Sequence, residues 1–321
     1  MAGLAIFFCA FIAFFRGNVG TDTSAYISIF EDVANGASAP YVELGFGFLT
    51  NSFLFLFSDP ELSVKIVSLI FFGLLFIFLI RSNRDERFLL LSFVLPVFSY
   101  SYSMNVLRAG IAAAIALLIF QSVMRSGVEG KLKYFFLSIS FQYTAVVMPL
   151  FFYVLSGRWV GKIPRKYILF SAFLFVVFAI EYKEYFFDKI SLYQRYESPN
   201  IYSGLSNLTL IIFILFFLSF GYLPKRDKIR IILRASLAAI VIWVFSRFSY
   251  AGLRVLDMLT FVIPWVIFFL YRENNIPLDR YVRFGIYISG IIFSFNIYIG
   301  YVAGQGEGDS PFLPYKFSFL N

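Results

Sequence analysis

The sequence has no histidine and only one cysteine, Cys9. Without histidine there is no His-based triad, no His-ligated metal and no histidine-dependent acyl transfer in a membrane. A lone cysteine inside an apolar run excludes an intrachain disulfide and gives no basis for a structural metal site. Charge is also scarce: 14% of residues are Asp, Glu, Lys or Arg, against about 25% in soluble domains. There is no long polar stretch, low-complexity linker or internal repeat, so residues 1–321 read as a single membrane domain. Leu4–Phe15 lacks the basic leader and small-residue cleavage site of a signal peptide. It reads as a short or truncated first span.

What is present is apolar. Hydrophobic residues make up 60% of the chain, including 45 Phe and 21 Tyr. No soluble core hides that much aromatic surface, so the excess faces lipid. The fold class is therefore all-α, a polytopic helical bundle, because helices satisfy their own backbone in lipid. Apolar segments fall at 2–15, 44–57, 62–80, 88–104, 106–124, 134–155, 167–181, 205–223, 235–251, 255–271 and 284–303. Allowing for short ones, this predicts roughly nine to eleven membrane segments.

The net charge of +8 does not point to nucleic acid. Its Lys and Arg residues sit in short loops between apolar runs, at 81–87, 125–133, 158–166, 225–234 and 272–283. Such loops mark the cytoplasmic side. The acidic or mixed segments 16–43, 182–204 and 304–321 belong outside, in a periplasm if the cell is Gram-negative. Segments 44–57 and 134–155 break this alternation. Each is either a full crossing or an element that enters and returns, with 134–155 broken at Gln142-Tyr143. We expect re-entrant or half-crossing elements, which occur where protein or a water cavity surrounds them and often build binding sites.

The ionisable residues outside the basic loops gather in a few places. Gly17 and Gly20 permit a tight turn after Arg16, and Thr21 or Asp22 can cap the helix that follows. That helix places Tyr26, Ile29, Phe30 and Val33 on one face. Glu43 stands at the start of the 44–57 segment, where a carboxylate is either solvated or functional. Tyr100, Tyr102, Asn105 and Arg108 form an outer turn, with Asn105 and Arg108 on one face of an Ala-rich helix. An arginine just inside a membrane helix is a functional candidate unless it snorkels to headgroups. Gln142 needs a polar partner in its apolar surroundings, such as a neighbouring helix. Tyr193, Arg195, Tyr196 and Tyr202 suit a glycan or lipid diphosphate, and equally an interfacial belt.

Arg247, Tyr250, Arg254 and Asp257 lie at intervals of three, four and three. They share a face if the helix is continuous and cluster at a turn if it is not. A structural Arg254–Asp257 pair is the alternative. Arg108, Arg195, Arg247 and Arg254 all fall on the side that positive-inside bias leaves poor in arginine. Arginine's planar fork matches phosphate oxygens. Guanidinium groups can hold the charge developing on a departing diphosphate, and a carboxylate can take a proton from an attacking sugar hydroxyl. No metal is needed for this.

The run Arg16-Gly17-Asn18-Val19-Gly20-Thr21-Asp22-Thr23, followed by Tyr26, resembles the opening motif of the EpsG family of Wzy-like polysaccharide polymerases. Asn105-Val106-Leu107-Arg108 and its Ala-rich helix resemble the family's second motif. The Arg195-Tyr196 and Arg254 regions are similar to weaker later ones. The resemblance covers about residues 5–270. It departs at Phe141-Gln142-Tyr143, where the family usually carries histidine, and in lacking one span before the Arg-Gly motif.

The resemblance implies a metal-independent glycosyltransferase of the bacterial inner membrane. It would polymerise O-antigen or exopolysaccharide repeat units in polysaccharide or lipopolysaccharide biosynthesis. The growing glycan leaves undecaprenyl diphosphate and joins the next lipid-linked unit at the periplasmic face. A chain-length regulator is an expected partner, and nucleic acid is not. On this reading Asp22, Glu43, Arg108 and Arg254 are catalytic, while Arg16, Tyr26, Asn105, Arg195, Tyr196, Arg247, Tyr250 and Asp257 bind substrate. The competing functions are a lipid-linked oligosaccharide flippase and a GT-C-type glycosyltransferase using a lipid monophosphate sugar.

Overall fold

Lipid offers the backbone no hydrogen-bond partner, so each apolar run coils to satisfy its own N–H and C=O groups. The computed structural model describes residues 2–17, 19–20, 22–36, 42–126, 134–157, 203–303 and 315–318, and every regular element among them is helical. The first four helices are α1 (Ala2–Phe14), α2 (Thr23–Ala34), α3 (Leu44–Phe57) and α4 (Pro60–Arg81). Next comes α5 (Arg84–Asn105), which widens into π turns at Leu90–Val94 and Ser101–Asn105. Then follow α6 (Leu107–Ser126), α7 (Phe135–Phe141) and α8 (Val147–Ser156). The last four are α9 (Leu205–Ser219), α10 (Lys225–Phe245), α11 (Tyr250–Glu273) and α12 (Arg280–Ala303).

Five of these, α4, α5, α6, α11 and α12, are long and apolar enough to cross a membrane. The chain is a multi-pass membrane protein of helical class. Helices α1, α3 and α9 and the stretch Tyr143–Ser156 are apolar but shorter. The expected segment 167–181 lies outside the described residues.

Helices α6 and α11 form the centre. Ala112, Ala113, Ala114 and Ala116 of α6 are buried, as is nearly all of α11 from Leu256 to Tyr271. Small side chains on α6 let its neighbours approach closely. Gly110 shows how closely: a Cβ there would sit 2.2 Å from the Tyr102 carbonyl oxygen. Large rings fill the remaining space, with Phe78 edge-on to Trp265 and Phe98 edge-on to Phe261. Phe48, Phe55, Leu237 and Phe248 stay exposed, as suits a lipid-facing surface.

The stretch 134–157 enters and returns. Phe120 of α6 touches Phe135 at one end and stacks on Phe152 at the other. Between them Ser138 Oγ donates to the Ala112 carbonyl, two turns further along α6. Arg234 donates to the Val154 carbonyl near the exit. Both ends therefore lie beside the basic ends of α6 and α10, as a re-entrant pair requires. The break falls at Gln142, as expected. Helix α3 is the half-crossing element: Glu43 at its start meets Arg108, and its end leads through Asp59 directly into α4.

Among the described residues, the basic stretches 81–87, 225–234 and 272–283 converge on one end of the bundle with Arg125. Glu86 is fully buried there and accepts from Gln121 and Arg125, while Asn83 and Glu86 cap α5 reciprocally. Arg272 lies 3.9 Å from the other Glu86 oxygen, and Arg283 pairs with Asp85. Asp279 accepts from the Tyr271 hydroxyl and from the backbone N–H groups of Tyr222, Tyr281 and Val282. These bonds tie α5, α6, α11 and α12 together. Removing one partner of a buried ion pair costs about 3–5 kcal/mol. Glu86→Ala should lower Tm in detergent by several degrees, whereas Arg87→Ala, on the same turn but exposed, should leave it unchanged.

Candidate functional site

At the opposite end of the bundle the Arg-Gly loop sits on the end of α5. A helix end leaves its last carbonyls without intrahelical donors. The loop provides donors for these groups. Arg16 Nη1 donates to the Ser103 carbonyl at 3.0 Å. Thr23 Oγ1 lies 2.7 Å from the Val19 carbonyl oxygen and 3.2 Å from that of Met104. The Asp22 backbone N–H donates to the Asn105 side-chain oxygen at 2.9 Å. Gly20 makes this approach possible: its φ is +107°, and a Cβ would lie 2.6 Å from the Met104 oxygen. The two sequence motifs are thus one structural unit. Positive charge on Arg16 also suits the negative end of the α5 dipole.

Glu43 is fully buried and accepts from Arg108 Nη1 at 2.5 Å. The same guanidinium lies 5.8 Å from the Tyr26 ring centre and 5.9 Å from that of Phe46. Asp22 occupies the N-cap position of α2 but makes no side-chain capping bond. Its carboxyl is therefore not spent on the helix end. Burial pushes its pKa up, while Arg254 and then Arg108 pull it down. The Asp22 carboxyl is thus in electrostatic reach of guanidinium groups from both α11 and α6.

Asp257, one turn along from Arg254, accepts a hydrogen bond at 2.5 Å from Asn207 of α9 and feels Arg254 electrostatically. The sequence suggested Asp257 as a substrate-binding residue, with a structural pair to Arg254 as the alternative, and Asn207 went unnoticed. A polar residue one turn into the apolar α9 was the available signal. Arg247, Tyr250, Arg254 and Asp257 do not share one continuous helix face. The helix breaks after Phe245 and restarts at Tyr250, with Ser249 capping the new start. Arg247 lies in the turn between and stacks on Trp243 at 4.1 Å. Gln142 is buried, but its side chain bonds Thr144 in its own turn rather than a neighbouring helix. Tyr102 is a core residue between Phe71, Phe98 and Phe261, so it does not line an open path. Arg195 and Tyr196, with Tyr193 and Tyr202, lie outside the described residues.

Two further residues escaped the sequence reading. Lys65 pairs with Glu61 at 2.6 Å on the first turns of α4. Both line a cavity with Arg16. No group of three or more potential metal ligands converges among the described residues.

Membrane-length helices, a re-entrant pair and a charged cluster at the end away from the basic loops define a polytopic membrane protein with a polar site at one face. The chain belongs to the EpsG family, whose model matches residues 1–317 and so extends past the region of motif resemblance on both sides. The family is linked to exopolysaccharide biosynthesis. No curated protein and no solved structure matches the chain.

Arg108→Ala removes the ion-pair partner 2.5 Å from the buried Glu43 carboxylate, so it should destabilise the protein by about 3–5 kcal/mol. Adding Glu43→Gln should recover part of that loss, as read by Tm of the single and double variants. Asp22 has the opposite sign. A carboxyl whose pKa is raised by folding stabilises the fold only while protonated, and that contribution is lost as pH rises through its folded pKa. Asp22→Asn should therefore leave Tm at pH 7 unchanged or higher, and a lower Tm would contradict this electrostatic picture.

Proposed function

We propose that the chain polymerises lipid-linked glycan repeat units at the periplasmic face of the bacterial inner membrane. The observation that carries this reading is the buried Asp22 carboxyl within electrostatic reach of Arg254 and Arg108, with Arg108 held on Glu43, at the end of the bundle opposite the basic stretches. Positive charge gathered there, against the usual sidedness, suits the binding of an anion. A lipid diphosphate is the anion that a membrane polymerase of exopolysaccharide consumes.

The chemistry follows from the residues. The bond between the reducing-end sugar carbon and the diphosphate oxygen breaks, and negative charge develops on the leaving diphosphate. Arg254 and Arg108 hold that charge with donors fixed in advance. The acceptor hydroxyl on the non-reducing sugar of the next unit forms the new glycosidic bond. Its proton passes to Asp22, whose burial raises its affinity for a proton. Glu43 is held against Arg108 and so positions that guanidinium rather than acting as the base. Tyr26 packs beside Arg108, and Asn105 fixes the backbone of Asp22. Undecaprenyl diphosphate carries both substrates, and a chain-length regulator is the expected protein partner.

The competing flippase would need a polar path through the bundle. The central helix α11 is instead buried among apolar side chains from Leu256 to Tyr271. The test is a gel of cell-surface polysaccharide from a deletion strain carrying single variants. Arg254→Ala and Asp22→Asn should collapse the ladder to one repeat, with a loss of rate of about 100-fold or more. Arg254→Lys should fail as well, since a point charge does not replace a planar fork. Chain lengths unchanged in these strains would contradict the assignment, and lipid-linked units trapped on the cytoplasmic side would favour the flippase.

A further inference from the structure

A second cationic site lies between Arg16 and the first turns of α4. A cavity of about 370 Å³ opens there, lined by Arg16, Thr23, Glu61, Val64, Lys65 and Ser318 among others. That volume lies within the range of small-ligand pockets, about 300–1,000 Å³. Arg16 is 1% exposed. Its Nη1 is committed to the Ser103 carbonyl, but its Nε and Nη2 are buried with no hydrogen-bond partner. Buried guanidinium donors without acceptors are costly. Nε and Nη2 together form the side edge of the guanidinium, the two parallel donors that take two oxygens of one oxyanion.

Lys65 adds a second cation to the same cavity. Its partner Glu61 is 56% exposed, so the pair is the weak surface type that an incoming anion can outcompete. The cavity is closed on one side by the segment 315–318. Gly17 donates to the Lys316 carbonyl at 2.8 Å, Ser318 donates to the Phe15 carbonyl at 2.9 Å, and the Tyr315 hydroxyl donates to the Ile12 carbonyl. These bonds hold Ser318 at the rim.

We propose that Arg16 and Lys65 form a phosphoryl-binding site separate from the Arg108–Arg254 cluster. Arg16 takes two phosphoryl oxygens through Nε and Nη2, and Lys65 meets the same group as a point charge. A polymerising reaction holds two lipid diphosphates at once, and the geometry assigns the second to this cavity. That last assignment rests on the polymerase reading, but the phosphoryl site itself does not.

The experiment is binding to the full chain in neutral-lipid nanodiscs, with farnesyl diphosphate and inorganic diphosphate as probes. Arg16 also pins Ser103, so the main variant is Lys65→Gln, which keeps a polar side chain of similar length at a half-buried position and loses the pair with exposed Glu61. Wild type should bind two equivalents of farnesyl diphosphate. Lys65→Gln should weaken one of them about tenfold, and Arg254→Ala should remove the other. Inorganic diphosphate binding with the same Lys65 dependence identifies a site for the free or terminal group. Binding of the lipid probe alone identifies a lipid-borne one. In elongation assays Lys65→Gln should raise KM for the acceptor and leave kcat near wild type.

A single equivalent abolished by Arg254→Ala, or binding of both probes unaffected by Lys65→Gln, overturns the second site. The two readings fail separately. Long chains in a deletion strain would end the polymerase reading while leaving a Lys65-dependent phosphoryl site intact. Unchanged binding in Lys65→Gln alongside lost chains in Arg254→Ala would end only this inference.

Discussion

A helix that ends within a membrane protein leaves carbonyl oxygens that lipid cannot satisfy, and the end of α5 at Asn105 is such a place. The Arg-Gly loop meets this need. Arg16 bonds the Ser103 carbonyl, Thr23 approaches that of Met104, and Asp22 bonds the Asn105 side chain through its backbone N–H. The π turn Ser101–Asn105 is closed by the Val106 N–H on the Ser101 carbonyl, which shifts the later carbonyls away from the helix's own donors. Once the loop is docked, the start of α2 is fixed, Tyr26 faces Arg108, and the Asp22 side chain remains available for chemistry. The site is a consequence of how one helix end is satisfied.

Charge then separates the two ends of the bundle by different means. At the basic end, Glu86 and Asp85 absorb the arginines of neighbouring loops, and Asp279 caps α12. Those carboxylates have structural partners on several helices. At the other end, among the described residues, Glu43 is held in a close ion pair with Arg108 and Glu61 in one with Lys65, while Asp22 is within electrostatic reach of two guanidinium groups at once. Acidic residues therefore do two kinds of work in one chain, and the side of the bundle tells them apart.

Much of this architecture was legible from residue type and order. Apolar run lengths placed most helices within a few residues. The basic loops on both sides of 134–155 announced an element that returns, and the polar Gln142 marked its break. The Arg-Gly and Asn105–Arg108 motifs were visible as separate groups. That they dock on each other was not, because every bond between them, 81 to 87 residues apart, has a backbone group as donor or acceptor. Backbone carbonyls carry no sequence signature. At 247–257 the three-four-three spacing left a continuous helix and a turn both open, and the structure has the turn, with Ser249 capping a new helix. Lys65 went unnoticed because its i,i+4 partner Glu61 makes it look like ordinary surface pairing. Only the fold brings it to Arg16.

The central claim is spatial: the Asp22, Arg108 and Arg254 cluster faces the periplasm while the basic loops face the cytosol. Thiol labelling tests it, starting from Cys9→Ala to remove the single native thiol. Ala25→Cys, exposed on α2, reports one end, and Arg226→Cys, exposed at the start of α10, reports the other. In intact spheroplasts a membrane-impermeant maleimide should modify Ala25→Cys at once and Arg226→Cys only after lysis. The reverse pattern would put the arginine cluster in the cytosol, where no periplasmic lipid diphosphate could meet it.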